Sequence, residues 1–574
     1  MANEEFVSLL RKCADVLELK KIEWKPRAYR RAARGIEGLR EPLKAIYESE
    51  GKKGLEKIPG VGESIALHIE EYIKTGKVKK WERLFSSSPS GSSELMRIKG
   101  LGPSKVKQLQ DELGISSVDG LRKALKEGRV RELSGFGEKT EKNILQSLKL
   151  FSIGQARMLI PQAMGIAEET ISYLKENAPV SSIDYAGSLR RMKETIGDID
   201  ILATCSDAEE CMGVFTKMPN VSRVLAKGKT KSSVQLRSGV QIDFRILPKK
   251  EYGAALLYFT GNKQHNIELR KIAIKKGYKL SEYGLFSKRT GKNLASRTEE
   301  DVYKKLGLQF IPPEMRQSNG EIGLASNSKV PRLIQQGDIC GDLHTHTNYS
   351  DGVESIEDML KAASSLGYKY YAITDHSKSE RIAHGLSVER LRSQWKEIDK
   401  AAKKSKLKVL KGAEVNILKN GELDYPDKIL RKLNVCVGGV HSSLKMPRRE
   451  MTERICTALE NEYLDSLAHP SGRLIGQREP CAVDFEKIFK VAADNGKAME
   501  INSQPLRLDL NSSHIRLAKK HGLKFTIVTD AHASTQLDYI RFGVGQARRG
   551  WLTREDVLNA LPYSRLKKVF GRLP

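Results

Sequence analysis

The C-terminal part of this chain repeats one rhythm of sequence, and that rhythm restricts the folds available to it. From Gly341 onward, short apolar runs of strand length alternate with polar turns and segments of helical length. Strand, turn and helix repeated in this order predict a parallel sheet covered by helices, here an α/β barrel. The chemistry of such barrels gathers at the C-terminal ends of their strands. The rhythm therefore predicts a functional site at one end of a barrel.

Histidines are concentrated at these strand ends. Nine of the eleven histidines lie at or beyond His344, and most of them follow a predicted strand. His344 and His346 would share one face of a strand, as two ligands of one metal ion must. Six imidazoles with three carboxylates suit Zn²⁺, Mn²⁺ or Fe²⁺ better than Mg²⁺. The candidate ligands are His344, His346, Asp351, His376, Glu414, His441, His469, Asp530 and His532.

An acidic cluster lies in the middle of the chain, around the stretch AGSLRRMKETIGDIDIL. Asp198 and Asp200 are two apart in a predicted strand and share its polar face. Asp243 lies on the polar face of a second strand, which follows a predicted hairpin turn. Three carboxylates on one sheet could hold two Mg²⁺ ions ~3.5–4 Å apart, which suits in-line phosphoryl displacement. Gly187 and Ser188 open a polar segment of helical length and offer N–H groups and a hydroxyl to a triphosphate.

The motifs Gly-Ser-x-x-Arg and Gly-Asp-x-Asp resemble the nucleotidyltransferase superfamily, and the run Tyr258-Phe259-Thr260-Gly261 is similar to the X family of DNA polymerases. The resemblance implies a palm and a thumb, in which Asp198, Asp200 and Asp243 bind Mg²⁺, or Mn²⁺, and carry catalysis. The chain has Gln241 where some relatives have an arginine close to the primer terminus. The implied nucleotide contacts are Gly187, Ser188, Arg191, Gly197, Tyr258, Phe259, Gly261 and Asn266, and Arg270 is the implied template contact.

A helix–Gly-x-Gly–helix pattern occurs three times before the palm. Such glycines let backbone N–H groups approach a DNA phosphate without a Cβ in the way, and the contact is independent of base sequence. Three copies resemble helix-hairpin-helix motifs. The glycines are Gly60 and Gly62, Gly100 and Gly102, and Gly135 and Gly137.

The first motif stands where X-family polymerases carry a domain that binds 5′-phosphates. Members with lyase activity form an imine through a lysine, and His68 occupies that position here. Because imidazole cannot form the imine, the resemblance does not carry over the lyase. We expect His68 to be an ordinary, half-exposed helix residue.

The histidine series resembles the polymerase-and-histidinol-phosphatase (PHP) domain, with all nine ligand positions of that family filled. A complete set implies an active phosphoesterase. Arg473 and Arg478 either grip substrate phosphate or belong to a solvated basic loop. The implied sharing gives one ion to His344, His346, Glu414 and Asp530, a second to Glu414, His441 and His469, and a third to Asp351, His376 and His532.

Charge and cysteine content agree with a nucleic-acid enzyme. A net charge of +28 favours a polyanionic partner. No apolar run approaches the ~20 residues of a membrane-spanning helix, so no membrane association is expected. The start of the chain does not resemble a secretory signal. Seven cysteines without a CxxC pair predict reduced thiols in the cytoplasm.

At 574 residues the chain is too long for one core. We predict a multidomain protein with helical N-terminal helix-hairpin-helix domains, an α+β nucleotidyltransferase palm and thumb, and a C-terminal α/β PHP barrel. The predicted domains are a helical domain that binds DNA ends (1–85), a fingers-like helix-hairpin-helix domain (94–150), the palm (151–250), the thumb (251–317), a linker (318–337) and the PHP hydrolase domain (338–574). A short flexible linker is predicted at Phe85 to Ser93.

Three functions remain open at this point. The first is a monomeric gap-filling DNA repair polymerase that uses gapped or nicked DNA and deoxynucleoside triphosphates. Its PHP domain would hold Zn²⁺ or Mn²⁺ and act as a 3′-5′ exonuclease, an abasic-site endonuclease or a 3′-phosphatase. The second is a small-molecule phosphatase of the histidinol-phosphatase type fused to a vestigial nucleotidyltransferase. The third is a DNA-binding scaffold without catalysis.

Overall fold

The structure, a computed structural model, describes residues 157–476 and 478–574 without a break. In the N-terminal part it describes 25–37, 43–58, 60–86 and 103–137, together with isolated positions before, between and after these ranges. Gly100, Gly102 and residues 87–94, which include most of the predicted linker, lie outside the described residues. So do residues 145–156, where the predicted palm begins.

The N-terminal part is helical, as predicted. His68 lies on the helix Glu63–Thr75 and is only 7% exposed, with its ring centre 6.5 Å from that of Tyr29 and 5.2 Å from that of Trp81. The expectation of a half-exposed residue is therefore wrong, because the neighbouring aromatic side chains enclose the imidazole. The helices are α1 (Lys25–Glu37), α2 (Leu43–Glu56), α3 (Glu63–Thr75), α4 (Lys79–Ser86), α5 (Pro103–Leu113), α6 (Val118–Lys126) and the 3-10 helix Arg129–Glu132.

The palm is built on a five-stranded sheet of order β2-β4-β7-β6-β5, in which only β4 and β7 run parallel. The predicted hairpin is β6–β7. The polar segment after Gly187 differs from prediction: it forms one helical turn and then a short strand. The elements are β1 (Met158–Leu159), α7 (Ile160–Asn177), β2 (Val180–Tyr185), α8 (Gly187–Arg190), β3 (Thr195–Ile196), β4 (Ile199–Cys205), α9 (Ala208–Thr216), β5 (Val221–Lys227), β6 (Lys231–Leu236) and β7 (Gln241–Ile246).

The thumb follows and extends into the predicted 318–337 linker. His265, fully buried, contacts Glu321 at 2.9 Å and Tyr303 at 2.8 Å, so the first part of that linker packs on the thumb. The elements are α10 (Tyr252–Thr260), α11 (Lys263–Lys275), β8 (Tyr278–Ser281), β9 (Gly284–Ser287), β10 (Asn293–Ala295), α12 (Glu299–Lys305), α13 (Glu321–Ser326) and the 3-10 turns Pro313–Met315 and Gln336–Asp338.

The C-terminal domain is the predicted parallel α/β barrel. Its seven strands follow one another in chain order, and a parallel bridge between Thr345 and Ala531 joins the ends of the first and last strands. The strands are β11 (Gly341–Asp342), β12 (Tyr370–Ile373), β13 (Lys408–Asn416), β14 (Val435–Gly439), β15 (Ser466–Leu467), β16 (Ala498–Asn502) and β17 (Phe525–Val528). The helices are α14 (Ile356–Ser365), α15 (Val388–Ala402), α16 (Asp427–Leu430), α17 (Arg448–Leu459), α18 (Phe485–Asp494), α19 (Ser512–Lys520), α20 (Ile540–Arg549) and α21 (Tyr563–Val569), with 3-10 turns at Ser534–Tyr539, Arg554–Asp556 and Leu558–Ala560.

The barrel and the palm share apolar packing. Leu508 and Phe542, at 0% and 1% exposure, belong to the same buried cluster as palm residues such as Ile199 and Phe215. Burial of such side chains is the main favourable contribution to packing. The palm core is thus completed by two side chains of the barrel.

Candidate active sites

The palm carboxylates lie at one end of the two parallel strands. Asp200 on β4 is paired in register with Asp243 on β7, and exposed Asp198 directly precedes β4. Burial, followed by the charges of Asp198 and Asp243, raises the pKa of Asp200 to about 6. Carboxylates that repel one another in this way are stabilised by a divalent cation.

Asp243 has partners that the sequence did not reveal. Gln241 Nε2 donates a 2.8 Å hydrogen bond to it, and Lys231 Nζ lies 3.0 Å from its other oxygen. Burial by itself raises the pKa of Asp243. The hydrogen bonds from Gln241 and Lys231 lower the pKa by more than burial raises it, so the pKa lies below its usual value. Gln241, which replaces the arginine of some relatives, therefore still orients this carboxylate.

A glycine is required at position 187 because the main chain there lies very close to the side chain of Asp200. Its φ is +61°, and a Cβ built there would lie 2.6 Å from Oδ2 of Asp200. The glycine thus brings the start of α8 directly against a candidate metal ligand. Half-buried Ser188 follows it, and exposed Gly197 precedes Asp198.

Arginines form a buried cationic group beside α8. Arg190 donates two hydrogen bonds of 3.0 and 2.6 Å to the two oxygens of Glu299, and Arg316 donates one of 2.6 Å to Oε1 of the same carboxylate. Arg191 donates to the carbonyl of Thr260, while its buried Nε has no hydrogen-bond partner among the residues that the structure describes. An unpaired buried guanidinium nitrogen is costly unless an anion binds it, which fits a triphosphate.

The predicted nucleotide and template contacts of the thumb lie together. Tyr258, Asn266 and Arg270 line one small pocket. Asn266 Nδ2 donates to the carbonyl of Tyr258 at 2.7 Å, and the ring of Phe259 lies 5.1 Å from that of Tyr258. Gly261 faces Arg191, because a Cβ there would lie 3.3 Å from its Nη1.

The described glycines of the helix-hairpin-helix motifs differ in their surroundings. Gly60 has φ +89° and packs against Arg31, which leaves no room for a Cβ. Around Gly62, which caps α3, and around Gly135 and Gly137 there is open space instead. Open space beside backbone N–H groups at a helix start is what a phosphate contact needs.

In the barrel, Glu414 lies at the centre of the histidines. Its Oε2 is 2.9 Å from His376 and 3.3 Å from His344, and its Oε1 is 3.0 Å from His441 and 2.9 Å from His469. Burial raises the pKa of Glu414, but the facing histidines, His376 first, hold it well below its usual value. One carboxylate thus presents its two oxygens to two groups of imidazoles.

The nine predicted ligands are all brought to this end of the barrel. Three of their buried nitrogens, Nδ1 of His346, His376 and His469, have no hydrogen-bond partner within the described part of the chain. Burial, then His532 and His376, lowers the pKa of His346 to about 3, which keeps it neutral as a ligand must be. The donor set therefore fits divalent metal ions. Ligand atoms within 4.8 Å of one another come from His346, Asp351, His376 and His532; from His344, His346 and Asp530; and from His376, Glu414 and His441.

A surrounding layer of polar residues, which sequence reasoning missed, orients these ligands. Glu500 on β16 lies 2.7 Å from Nδ1 of His344, and Asn416 on β13 lies 2.5 Å from Nδ1 of His441. Asn502 donates to both Glu500 and Asp530. Such contacts fix the tautomer of a ligating imidazole. Polar residues on the otherwise apolar strand β16 were the available signal.

The two predicted phosphate arginines have other contacts. Arg473 forms hydrogen bonds of 2.8 and 3.2 Å to Glu194 of the palm, and Arg478 donates to the carbonyl of Gly472. Arg473 is partly buried and is therefore not a solvated loop residue, whereas Arg478 is exposed, as the solvated-loop alternative expects. Arg507, whose Nε lies 3.5 Å from Asp530, is a further cation beside the ligands.

Comparison with known proteins supports both halves of this description. Family models match at residues 1–78 (helix-hairpin-helix domain), 92–150 (SAM-like helix-hairpin-helix tandem), 255–317 (DNA polymerase beta thumb) and 342–504 (PHP domain). The DNA polymerase/3′-5′ exonuclease PolX of Bacillus subtilis (strain 168) is 37% identical over 564 residues, or 98% of either chain.

Two partial relatives match less of the chain. A DNA polymerase lambda of Arabidopsis thaliana is 28% identical over 295 residues, which cover 46% of this chain and 53% of that protein. A probable phosphatase of Acetivibrio thermocellus is 30% identical over 225 residues, which cover 38% of this chain and 86% of its own.

A nucleotidyltransferase palm and thumb joined to a histidine-lined PHP barrel define a class of multidomain nucleic-acid enzymes. The chain belongs to the X-family DNA polymerases that carry a PHP domain. Membership implies dependence on divalent metal ions. Among the described residues, none of the helices combines the length and apolar composition that crossing a bilayer demands.

Proposed function

We propose that this protein is a DNA polymerase that fills short gaps during repair, with a 3′-5′ exonuclease in its PHP domain. The polymerase activity is supported above all by the in-register pairing of Asp200 and Asp243 beside buried Arg191, whose Nε has no hydrogen-bond partner among the described residues. Its substrates are gapped or nicked DNA and deoxynucleoside triphosphates. We further propose that it works as a monomer in the cytoplasm.

In the palm, Asp198, Asp200 and Asp243 would hold Mg²⁺, or Mn²⁺. Bound there, such ions stabilise the charge on the attacking and departing oxygens of an in-line displacement. The protein itself holds the carboxylates in place: Gln241 and Lys231 fix Asp243, and Gly187 admits Asp200. These residues prepare the site before substrate arrives.

Nucleotide binding would use the arginines beside α8, close to the carboxylates. Ser188 and Arg191 would receive the triphosphate, since both terminal nitrogens of Arg190 are bound to Glu299, while Arg191 Nε has no partner within the described part of the chain. Tyr258, Phe259 and Asn266 would border the sugar and base, and Arg270, in the same pocket, the template. Backbone N–H groups of the helix-hairpin-helix motifs would hold the DNA phosphates.

In the PHP domain, the nine ligands would hold Zn²⁺, Mn²⁺ or both. Such ions supply a nucleophile at neutral pH and neutralise phosphate charge. Glu414 would be shared between ions because each of its oxygens faces different histidines. Glu500 and Asn416 hold the rings of His344 and His441 in the orientation that binding requires.

The polymerase assignment is tested by Asp243→Ala in a gap-filling assay. Because the variant lacks one of the carboxylates that hold the ions, primer extension should be abolished, while affinity for gapped DNA stays unchanged. Labelled gapped DNA with Mg²⁺ or Mn²⁺, with and without nucleotides, gives the readout. Extension at the wild-type rate would overturn the palm assignment.

The substrate class of the PHP domain needs its own measurement. Attachment to a DNA-binding polymerase keeps primer ends at high effective concentration, so we expect DNA 3′ ends to be shortened, with stimulation by Mn²⁺. Histidinol phosphate, abasic DNA and 3′-phosphorylated DNA are offered in parallel. Cleavage of histidinol phosphate without any cleavage of DNA would favour the small-molecule phosphatase instead.

A further inference from the structure

The barrel touches the palm right beside the candidate triphosphate site. Residues 191–194, here called the 191–194 turn, connect α8 to β3 and face helix α20 of the barrel. Arg549 Nη1 donates a 2.8 Å hydrogen bond to the carbonyl of Arg191, and Gln546 Nε2 donates one of 3.0 Å to the carbonyl of Met192. Both donors are buried, at 7% and 1% exposure. The turn thus receives two buried hydrogen bonds from another domain.

The shape of the turn depends on this contact. Met192 has φ +52°, a left-handed conformation that residues with a side chain rarely adopt. Its side chain lies against Gly545 of α20, where a Cβ would come within 2.5 Å of Met192 Cε. Such a backbone conformation persists only where surrounding contacts over-determine it. Here the hydrogen bonds and the close packing on α20 supply those contacts.

A second attachment lies at the end of the turn. Both carboxylate oxygens of Glu194 accept hydrogen bonds from Arg473, at 2.8 and 3.2 Å, in a bidentate pair. Arg473 Nε also donates to the carbonyl of Arg507, at 2.8 Å. Bidentate pairs of this kind fix orientation as well as distance. The turn is therefore held by the barrel at both of its ends.

We propose that Arg549 and Gln546, although they belong to the PHP barrel, are positioning residues for nucleotide binding in the palm. The inference rests on the proposed role of Ser188 and Arg191 at the triphosphate. Arg549 holds the main chain of Arg191, while the carbonyl of Thr260 holds its guanidinium. With both parts fixed, the guanidinium is aimed before the nucleotide arrives, which lowers the cost of binding.

The charge of Arg549 acts in the same direction. Burial, then the charges of Arg549 and Arg316, lowers the pKa of Arg191 to about 10. Such repulsion between buried cations is relieved when an anion enters between them. Arg549 thus contributes both a hydrogen bond and positive charge to a site on a different domain.

The same helix offers a matched control. Arg541 on α20 forms a 3.3 Å ion pair with Glu168 on α7, a contact between the same two domains that does not involve the turn. If α20 only held the domains together, the loss of either contact would have the same kind of effect. If α20 instead positions the turn, loss of the Arg549 contact should raise KM for the nucleotide, whereas loss of the Arg541 contact should not.

The test measures KM and kcat for nucleotide in single-gap filling by the full-length protein with Mg²⁺. Arg549→Met removes the hydrogen bond to the carbonyl of Arg191 and another, of 3.0 Å, to Gln317 of the thumb. It should raise KM about tenfold, as expected when the turn loses a hydrogen bond from a charged donor, with little change in kcat. Arg549→Lys should recover part of this loss. Gln546→Met, nearly isosteric, should raise KM less, and Arg541→Ala should not change it. Exonuclease activity without nucleotides should be that of the wild type throughout, which checks folding.

Wild-type KM in both Arg549→Met and Gln546→Met would overturn the inference, and so would an equal effect of Arg541→Ala. Ser188→Ala separates this failure from a failure of the proposed site. If Ser188→Ala raises KM while the barrel variants do not, the nucleotide site stands and the positioning role is wrong. If Ser188→Ala also leaves KM unchanged, the triphosphate assignment itself is wrong.

Discussion

At the scale of single residues, the palm depends on how closely Gly187 approaches Asp200. A side chain at Gly187 would have to displace the carboxylate, since its Cβ would lie 2.6 Å from Oδ2, and would also adopt φ +61°. Gly187→Ala should therefore lower kcat/KM for gap filling about 100-fold, the cost of misplacing a reacting group by about 1 Å. Exonuclease activity should not change, because the barrel ligands are separate.

Gly165→Ala is the matched control for this variant. Gly165 lies on α7 of the same domain, where a Cβ would meet nothing within 4 Å. Gap filling should be unaffected by it. Full activity in Gly187→Ala would show that Asp200 can move without loss, contrary to its proposed role as a metal ligand.

At the scale of elements, DNA binding is assigned to the starts of helices. A Cβ at Gly62 or Gly137 would meet nothing within 4 Å among the described residues, so Gly62→Val with Gly137→Val should mainly disturb what binds at these turns. We expect weaker binding to gapped DNA of any sequence, with a steep dependence on salt, because backbone contacts to phosphate are lost. Fluorescence anisotropy at several salt concentrations measures the affinity for gapped DNA and its salt dependence.

Gly337→Val, at an exposed position outside these motifs, should bind DNA as the wild type does. If the Gly62 and Gly137 double variant binds equally well, these turns are only structural hairpins.

Elements and ligands were predictable where the signal is local. The barrel followed from its rhythm of strands and helices, and the acidic strands from alternation, which fixes the face on which Asp243 lies. The partners of these residues could not be predicted. Lys231 beside Asp243, Glu299 between Arg190 and Arg316, and Glu500 behind His344 are pairs made only by the fold. No spacing in the sequence encodes such distant pairs.

At the scale of the whole molecule, the two domains are packed together, yet each has its own candidate ligands. Phe542 of the barrel completes the palm core, and Arg473 joins the barrel to Glu194. Within the described residues, the ligands of the palm come from β4, β7 and the residue before β4, whereas those of the barrel lie at its strand ends. We therefore expect one chain to carry two metal-dependent centres whose ligands are separate.

This expectation is tested most directly by assaying variants of both centres on the same DNA substrate. Asp243→Ala and the double variant His344→Ala with His346→Ala are incubated with 5′-labelled gapped DNA, Mn²⁺ and nucleotides, and the lengths of the primer strand are resolved on a gel. We expect Asp243→Ala only to shorten the primer and the double histidine variant only to extend it. Continued shortening by the double histidine variant, or loss of both activities in either variant, would show that the two centres are not separate.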